Sequence, residues 1–155
     1  MPKAKYTPSR KAVELFYLAI LKLIDYQKKI LKDPAFIQSR ASMDDLHWKK
    51  ELATVKIQLP RRGGNTTVAI KLLKFLKKSI CLTYDEGSAR NMGKQCEAIS
   101  EITLDRETRV CSVNSLNNLR GKKFEVIIVD TTFMIPEKKI SEIYKLNALI
   151  YVFLG

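Results

Sequence analysis

Histidine is almost missing from this chain of 155 residues: His47 is the only one. A single imidazole cannot serve both a metal site and a Ser/His/Asp set, so hydrolytic triads drop out and zinc has little support. His47 itself reads as a surface or cap residue. Cysteine is scarce too, with three residues at wide spacing (Cys81, Cys96, Cys111) and no CxxC pair. An odd, scattered set does not make a disulfide framework; it fits reduced, structural thiols in a cytosol-like compartment. No apolar run approaches the roughly 20 residues of a membrane-spanning helix, the longest being Ala148 to Leu154. The basic start (Met1-Pro2-Lys3-Ala4-Lys5-Tyr6) is not followed by a compact apolar segment and cleavage site, which argues against secretion. Acidic residues are few: 16 Asp and Glu face 28 Lys and Arg, for a net charge of +12. That excess makes a polyanion a plausible neighbour, nucleic acid being the commonest, with membrane surface and plain solubility as rivals.

What is present is enough for a core. Hydrophobic residues make up 46% and charged residues 28%, which excludes wholesale disorder, and the length suits one domain. Residues 9–32 read as an amphipathic helix capped by Ser9. Val13, Phe16, Ile20, Leu23, Ile24 and Leu31 recur at helical spacing, and Asp33-Pro34 ends the helix. Residues 1–32 hold eight Lys/Arg against two acids, half of the whole net charge. Residues 35–53 read as a connection with one short helix, Ser42 and Asp45 standing as its caps before Leu46 and Trp48.

From residue 54 strands alternate with helices. Strands are expected at 54–59, 80–84, 110–113, 124–130 and 148–154, and helices at 66–78, 88–99 and 137–146. This alternation implies parallel pairing through right-handed crossovers. The last two strands are apolar at nearly every position, as strands covered on both faces are. The expected fold is an α/β three-layer sandwich with a mostly parallel sheet and a basic N-terminal helix. Residues 1–34 form that helix and 35–155 the core, in a single compact domain.

The first strand leads into Pro60-Arg61-Arg62-Gly63-Gly64-Asn65-Thr66-Thr67 and then a helix. Backbone N–H groups of such a loop and of a helix N-terminus attract phosphate oxygens. In the full phosphate-loop pattern a lysine reaches the terminal phosphates and a Ser/Thr hydroxyl holds magnesium. Here Gly64 and Thr66 match, whereas Leu59 takes the place of the first glycine and Asn65 that of the lysine. About 65 residues later, Val126-Ile127-Ile128-Val129-Asp130 has the form of a Walker B strand ending in its aspartate. That spacing is compatible with adjacent core strands. The competing reading is plainer: a strand-to-helix turn capped by Asn65 or Thr66, and Asp130 as a turn residue at a strand end.

Leu59 to Ala69 resembles the A-P-R-x-x-G-K-T-T loop in the ATPase domain of large terminase subunits of tailed phages, with superfamily 2 helicases as more distant relatives. Ser115 to Gly121 before the Walker B-like strand, Phe133-Ile135-Pro136 after it, and Ala148 to Gly155 are similar to the segments at corresponding places in that family. The resemblance covers roughly residues 40–155. It implies a P-loop NTPase fold, ATP with Mg held through Thr66 and Asp130, and a role in viral DNA packaging or replication in the cytoplasm of a host cell. It also locates two departures. Asn65 replaces the phosphate-binding lysine, and Thr131 stands where the additional-strand class of these NTPases carries a catalytic glutamate. Losing the lysine's charged hydrogen bond weakens phosphate binding roughly ten- to hundredfold. Losing a water-polarising carboxylate removes roughly 10² to 10⁴ in rate.

The expectation is therefore a catalytically degenerate ATPase core that acts by binding nucleic acid, DNA in the first instance, or a protein of a viral DNA-processing machine. Its remnant phosphate site comprises Arg61, Arg62, Gly63, Gly64, Asn65, Thr66, Thr67 and Asp130. Lys71, Lys74, Lys77 and Lys78 are expected on one face of the helix after the loop, with Lys28 and Lys29 on the N-terminal helix, as nucleic-acid contacts. Two alternatives remain: a weak ATP-dependent DNA-translocating ATPase in which Arg61 or Arg62 supplies the missing charge, and a basic nucleic-acid-binding module with no nucleotide site.

Overall fold

The computed structural model of the chain describes residues 10–58, 64–99 and 110–155. Five strands make one sheet: β1 (Thr54–Ile57), β2 (Ser79–Thr83), β3 (Val110–Ser112), β4 (Lys123–Val129) and β5 (Asn147–Leu154). Their order across the sheet is β1-β5-β4-β2-β3, and every neighbouring pair is parallel. The expected α/β three-layer sandwich is thus the one observed, with a sheet that is parallel throughout.

Strand pleating divides the core in two. On β4, Val126 and Ile128 point to one face while Ile127 and Val129 point to the other; on β5, Ile150, Val152 and Leu154 oppose Tyr151 and Phe153. The first face is covered by α1 (Arg10–Lys32), α4 (Asn65–Phe75) and α5 (Glu86–Ile99). The second is covered by α2 (Pro34–Ala41), α3 (Asp45–Leu52), a 3₁₀ segment at Val113–Leu119 and α6 (Glu137–Tyr144). This explains the unbroken apolar runs in β4 and β5: neither face meets water. Helix α1 buries Val13, Ile20 and Ile24 in the first core beside α4.

Several boundaries differ from the sequence reading. The connection 35–53 holds two helices, because Asp33-Pro34 both stops α1 and starts α2. Asp33 Oδ1 accepts from Ala35 N at 2.8 Å, and Pro34 sits where a missing N–H costs nothing. The cap of α3 is Asp44, which accepts from His47 N at 3.2 Å, and not Ser42, whose hydroxyl donates back to Ser39 O at 2.9 Å. Helix α4 stops at Phe75, short of the expected Lys78. Leu76 is extended, Lys78 adopts a left-handed φ of 56°, and Ser79 Oγ donates to Leu76 O at 2.6 Å, so the chain turns into β2 there. The strand expected at 110–113 ends at Ser112, and Val113–Leu119 form the 3₁₀ segment. The cap expected at Ser9 lies outside the described residues.

A polar knot ties α3 and α6 to the sheet. Thr54 Oγ1 donates to Lys49 O at 2.7 Å, so its 2.9 Å contact with Tyr144 is donated by the tyrosine hydroxyl. Lys49 Nζ donates to Tyr144 O at 2.8 Å. The fully buried Tyr151 hydroxyl donates to Leu146 O, and burial pushes its pKa far up. Tyr151→Phe removes that donor and leaves a buried carbonyl short of a partner. It is expected to cost about 1 kcal/mol, read from urea unfolding; an unchanged midpoint would mean the hydroxyl contributes nothing there.

Candidate functional site

The two motifs singled out in the sequence meet at the carboxyl edge of the sheet. The register pairs Ile57 of β1 and Lys56 with Leu154 and Phe153 of β5, and Val129 of β4 also with Phe153. Ile57, Leu154 and Asp130 are therefore level at three neighbouring strand tips. Strands β1 and β4 are not adjacent, contrary to the sequence reading: β5 runs between them. That separates their tips by two strand spacings, roughly 9–10 Å. Helix α4 bridges the gap, and Thr66 Oγ1 in its first turn donates to Asp130 Oδ2 at 2.9 Å.

Each part of this bridge has a local cause. Gly64 caps α4 with φ 90°, a left-handed geometry that glycine adopts without strain, and its carbonyl accepts from Val68 N at 2.9 Å. The N–H groups of Asn65, Thr66 and Thr67, in the first turn of an 11-residue helix, thus face the strand tips without intrahelical partners. Asp130 is fixed from below, its N–H donating to Leu82 O at 2.9 Å. The middle strand ends in Gly155 at φ 97°, where a Cβ would come within 3.1 Å of Asn65 Nδ2. The space over β5 therefore belongs to the α4 N-terminus, and a side chain on Gly155 would press into it. Beside Gly155 a cavity of about 510 Å³ opens on the other side of the strand tips, walled by Gln58, Thr132, Phe133 and Glu137 among others. Thr132 anchors that wall by donating to Leu154 O at 3.1 Å.

Asp130 is 4% exposed, and its Oδ1 has no hydrogen-bond partner among the described residues. Burial raises its pKa above the ordinary carboxylate value, although the hydrogen bonds from Thr66 and Thr131 pull the other way. Asn65 Oδ1 is likewise buried without a partner. Next to Asp130, Thr131 sits at φ 55°, ψ 47°, a conformation in which a β-branched residue is strained. A buried carboxylate oxygen left unmatched, with a hydroxyl at its side, is a donor set for a hard divalent cation. No cluster of three or more His, Cys, Asp or Glu able to hold a metal alone occurs among the described residues. Magnesium does not require one, since it takes one or two carboxylates and completes its shell with phosphate oxygens and water.

Of the expected site residues, Gly64, Asn65, Thr66, Thr67 and Asp130 are brought together. Arg61, Arg62 and Gly63 lie outside the described residues. The expected lysine face breaks up. Lys71 Nζ pairs with Glu14 of α1 at 2.5 Å and Lys28 pairs with Glu125 of β4, so both fasten α1 to the sandwich. Lys77 and Lys78 leave α4 altogether, because the helix ends at Phe75. Lys29 is exposed in the last turn of α1 and Lys74 is partly buried on α4. Cys81 and Cys96 are buried, and burial pushes the Cys81 and Cys111 thiols up, as expected of structural thiols. Among the described residues no helix is long and apolar enough to cross a membrane. No family model and no curated protein matches this chain.

Proposed function

We propose that this chain is a P-loop-type, terminase- or helicase-like ATPase core that retains Mg–nucleotide binding, turns it over poorly, and works by binding nucleic acid or a protein of a viral DNA-processing machine. One observation carries the nucleotide part of the reading. Thr66 and Asp130, 64 residues apart, meet at 2.9 Å over the tip of an intervening parallel strand. A strand-to-helix turn that only needed a cap would not require a buried carboxylate from a strand two places away. Nor would it leave one oxygen of that carboxylate unmatched.

The chain's own contributions follow from the geometry. The α4 N-terminus supplies N–H groups and the positive end of a helix dipole to an anion. Thr66 and Asp130 would hold the magnesium, which neutralises phosphate charge when bound. Asn65 presents an amide but no charge, and Thr131 has no carboxylate with which to orient water. Binding is thereby supported and hydrolysis is not. The role in a viral machine rests on the resemblance of residues 40–155 alone.

The test is a thermal shift with Mg–ATP. At ligand ten times above its Kd, the native state gains about 1.4 kcal/mol, a rise of a few degrees for a domain of this size. The shift is expected in the wild type and to vanish in Thr66→Ala. A flat wild-type response at millimolar Mg–ATP would remove the nucleotide reading. Phosphate release above background that disappears in Thr66→Ala would instead refute the claim of lost turnover.

A further inference from the structure

Among the described connections, exposed basic residues gather at the amino edge of the sheet. Four described connections lead into strands at its amino edge: Ala53 before β1, Leu76 to Lys78 before β2, Arg120 to Lys122 before β4, and Lys145 to Leu146 before β5. With Lys123, the first residue of β4, they carry Lys77, Lys78, Arg120, Lys122, Lys123 and Lys145, all exposed, and no acid. The register brings them side by side: Lys123 pairs with Asn147, and Glu125 N donates to Lys78 O at 2.8 Å. The acid nearest this edge on β4, Glu125, is already neutralised by Lys28. That pair also delivers the last turn of α1, with exposed Lys29 and Lys32, to the same edge. The described connections at the carboxyl edge show the reverse, with Asp85 and Asp130 and no Lys or Arg.

We infer that the amino edge of the sheet binds the phosphodiester backbone of nucleic acid, on the side of the molecule opposite the nucleotide site. The inference deepens the nucleic-acid part of the proposed function and is independent of its nucleotide part. Five of the six cations stand on turns between rigid elements and Lys123 opens β4; the large exposed apolar side chains lie outside these connections, Phe75 being the nearest, just before Leu76. A protein interface needs an apolar centre, and insertion into a lipid surface needs an apolar face. Phosphates need neither. Contacts of lysine and arginine with phosphates carry no base information, so binding through them is sequence-independent.

The test uses the full chain and a short fluorescently labelled DNA duplex, followed by anisotropy at about 50 and about 200 mM salt. If all six cations engage, affinity is expected to fall roughly 10³-fold between those concentrations. Two variants each lose four charges. The edge variant combines Lys77→Gln, Lys122→Gln, Lys123→Gln and Lys145→Gln. The control combines Lys11→Gln, Lys22→Gln, Lys94→Gln and Lys138→Gln, all exposed elsewhere. The edge variant should bind more than tenfold more weakly, with a log–log salt slope shallower by about 3–4, while the control stays within about twofold. Equal losses in the two variants would overturn the inference, as would absence of binding at the lower salt. Displacement of the duplex by polyglutamate or by anionic phospholipid vesicles at matched charge would assign the surface to a different partner and overturn it as well. Thr66→Ala should bind the duplex like the wild type, so failure of the nucleotide site is read separately.

Discussion

Replacing Asp130 with asparagine is expected to raise the melting temperature of the ligand-free protein while abolishing its response to Mg–ATP. The carboxylate is 4% exposed, one of its oxygens has no partner, and burial raises its pKa. An acid whose folded pKa lies above its unfolded value binds its proton more tightly when folded. Stability therefore falls as pH rises from the unfolded carboxylate value, near 4, through the folded one. Above that window the wild type carries the full cost of a buried, half-satisfied charge. Asparagine keeps an oxygen for the Thr66 hydroxyl and carries no charge. A gain of about 1–3 kcal/mol is expected at neutral pH, shrinking toward zero as the pH drops below 4. Calorimetry of both proteins across that range checks it. A destabilised variant at neutral pH, or a gap that does not close in acid, would mean that Asp130 is structural and that the unmatched oxygen is not waiting for a cation.

Such a cost has a meaning for function. A protein selected only for stability would not keep a buried, half-matched aspartate at the tip of β4, beside a threonine in the left-handed region. The strain at Thr131 and the unmatched oxygen at Asp130 are consecutive in sequence, directly after β4. A cation would satisfy the unmatched oxygen, a purely structural role would not, and the strained Thr131 marks the same spot.

How much of this could be read beforehand depended on the range of the interactions. The parallel sandwich was legible because β4 and β5 are apolar on both faces, and only a strand covered twice has that pattern. The meeting of Thr66 with Asp130 was legible only through motif form, since no local rule joins residues 64 apart. The insertion of β5 between β1 and β4 was not legible: strand order is decided by crossovers, and spacing alone had suggested neighbours. The lysine face failed for a local reason. Lys71, Lys74, Lys77 and Lys78 fit a helical stripe on paper, but the left-handed Lys78 ends that stripe and Glu14 takes Lys71. Of the amino-edge cations, Lys77, Lys78 and Lys29 were expected as nucleic-acid contacts on helix faces, whereas Arg120, Lys122, Lys123 and Lys145 were missed although their trace was visible. Lys77-Lys78 and Lys122-Lys123 each stand directly before an apolar strand, and in a parallel sheet every strand starts at the same edge.

Asn65→Lys is expected to tighten Mg–ATP binding by about ten- to hundredfold. Asn65 is the first residue of α4, its amide lies against Gly155, and its Oδ1 is buried without a partner, so it contributes little and loses little when replaced. An ammonium at the head of a helix, facing the space that Gly155 leaves open, can add a charged hydrogen bond to a phosphate. Such a bond is worth about 1.5–3 kcal/mol, which is that same factor in Kd. Hydrolysis should stay at background in this variant, because Thr131 still offers no carboxylate. Adding Thr131→Glu should then raise turnover by roughly 10² to 10⁴. Glutamate is not β-branched, so the left-handed backbone at this position suits it no worse than threonine. Titration with fluorescent ATP and a phosphate-release assay separate the two effects. If Asn65→Lys leaves affinity unchanged while Thr66→Ala abolishes binding, another group already holds the phosphate charge. Loss of binding in Arg61→Ala/Arg62→Ala would then identify the arginines as that group. If neither change alters binding, the cradle does not face phosphate at all.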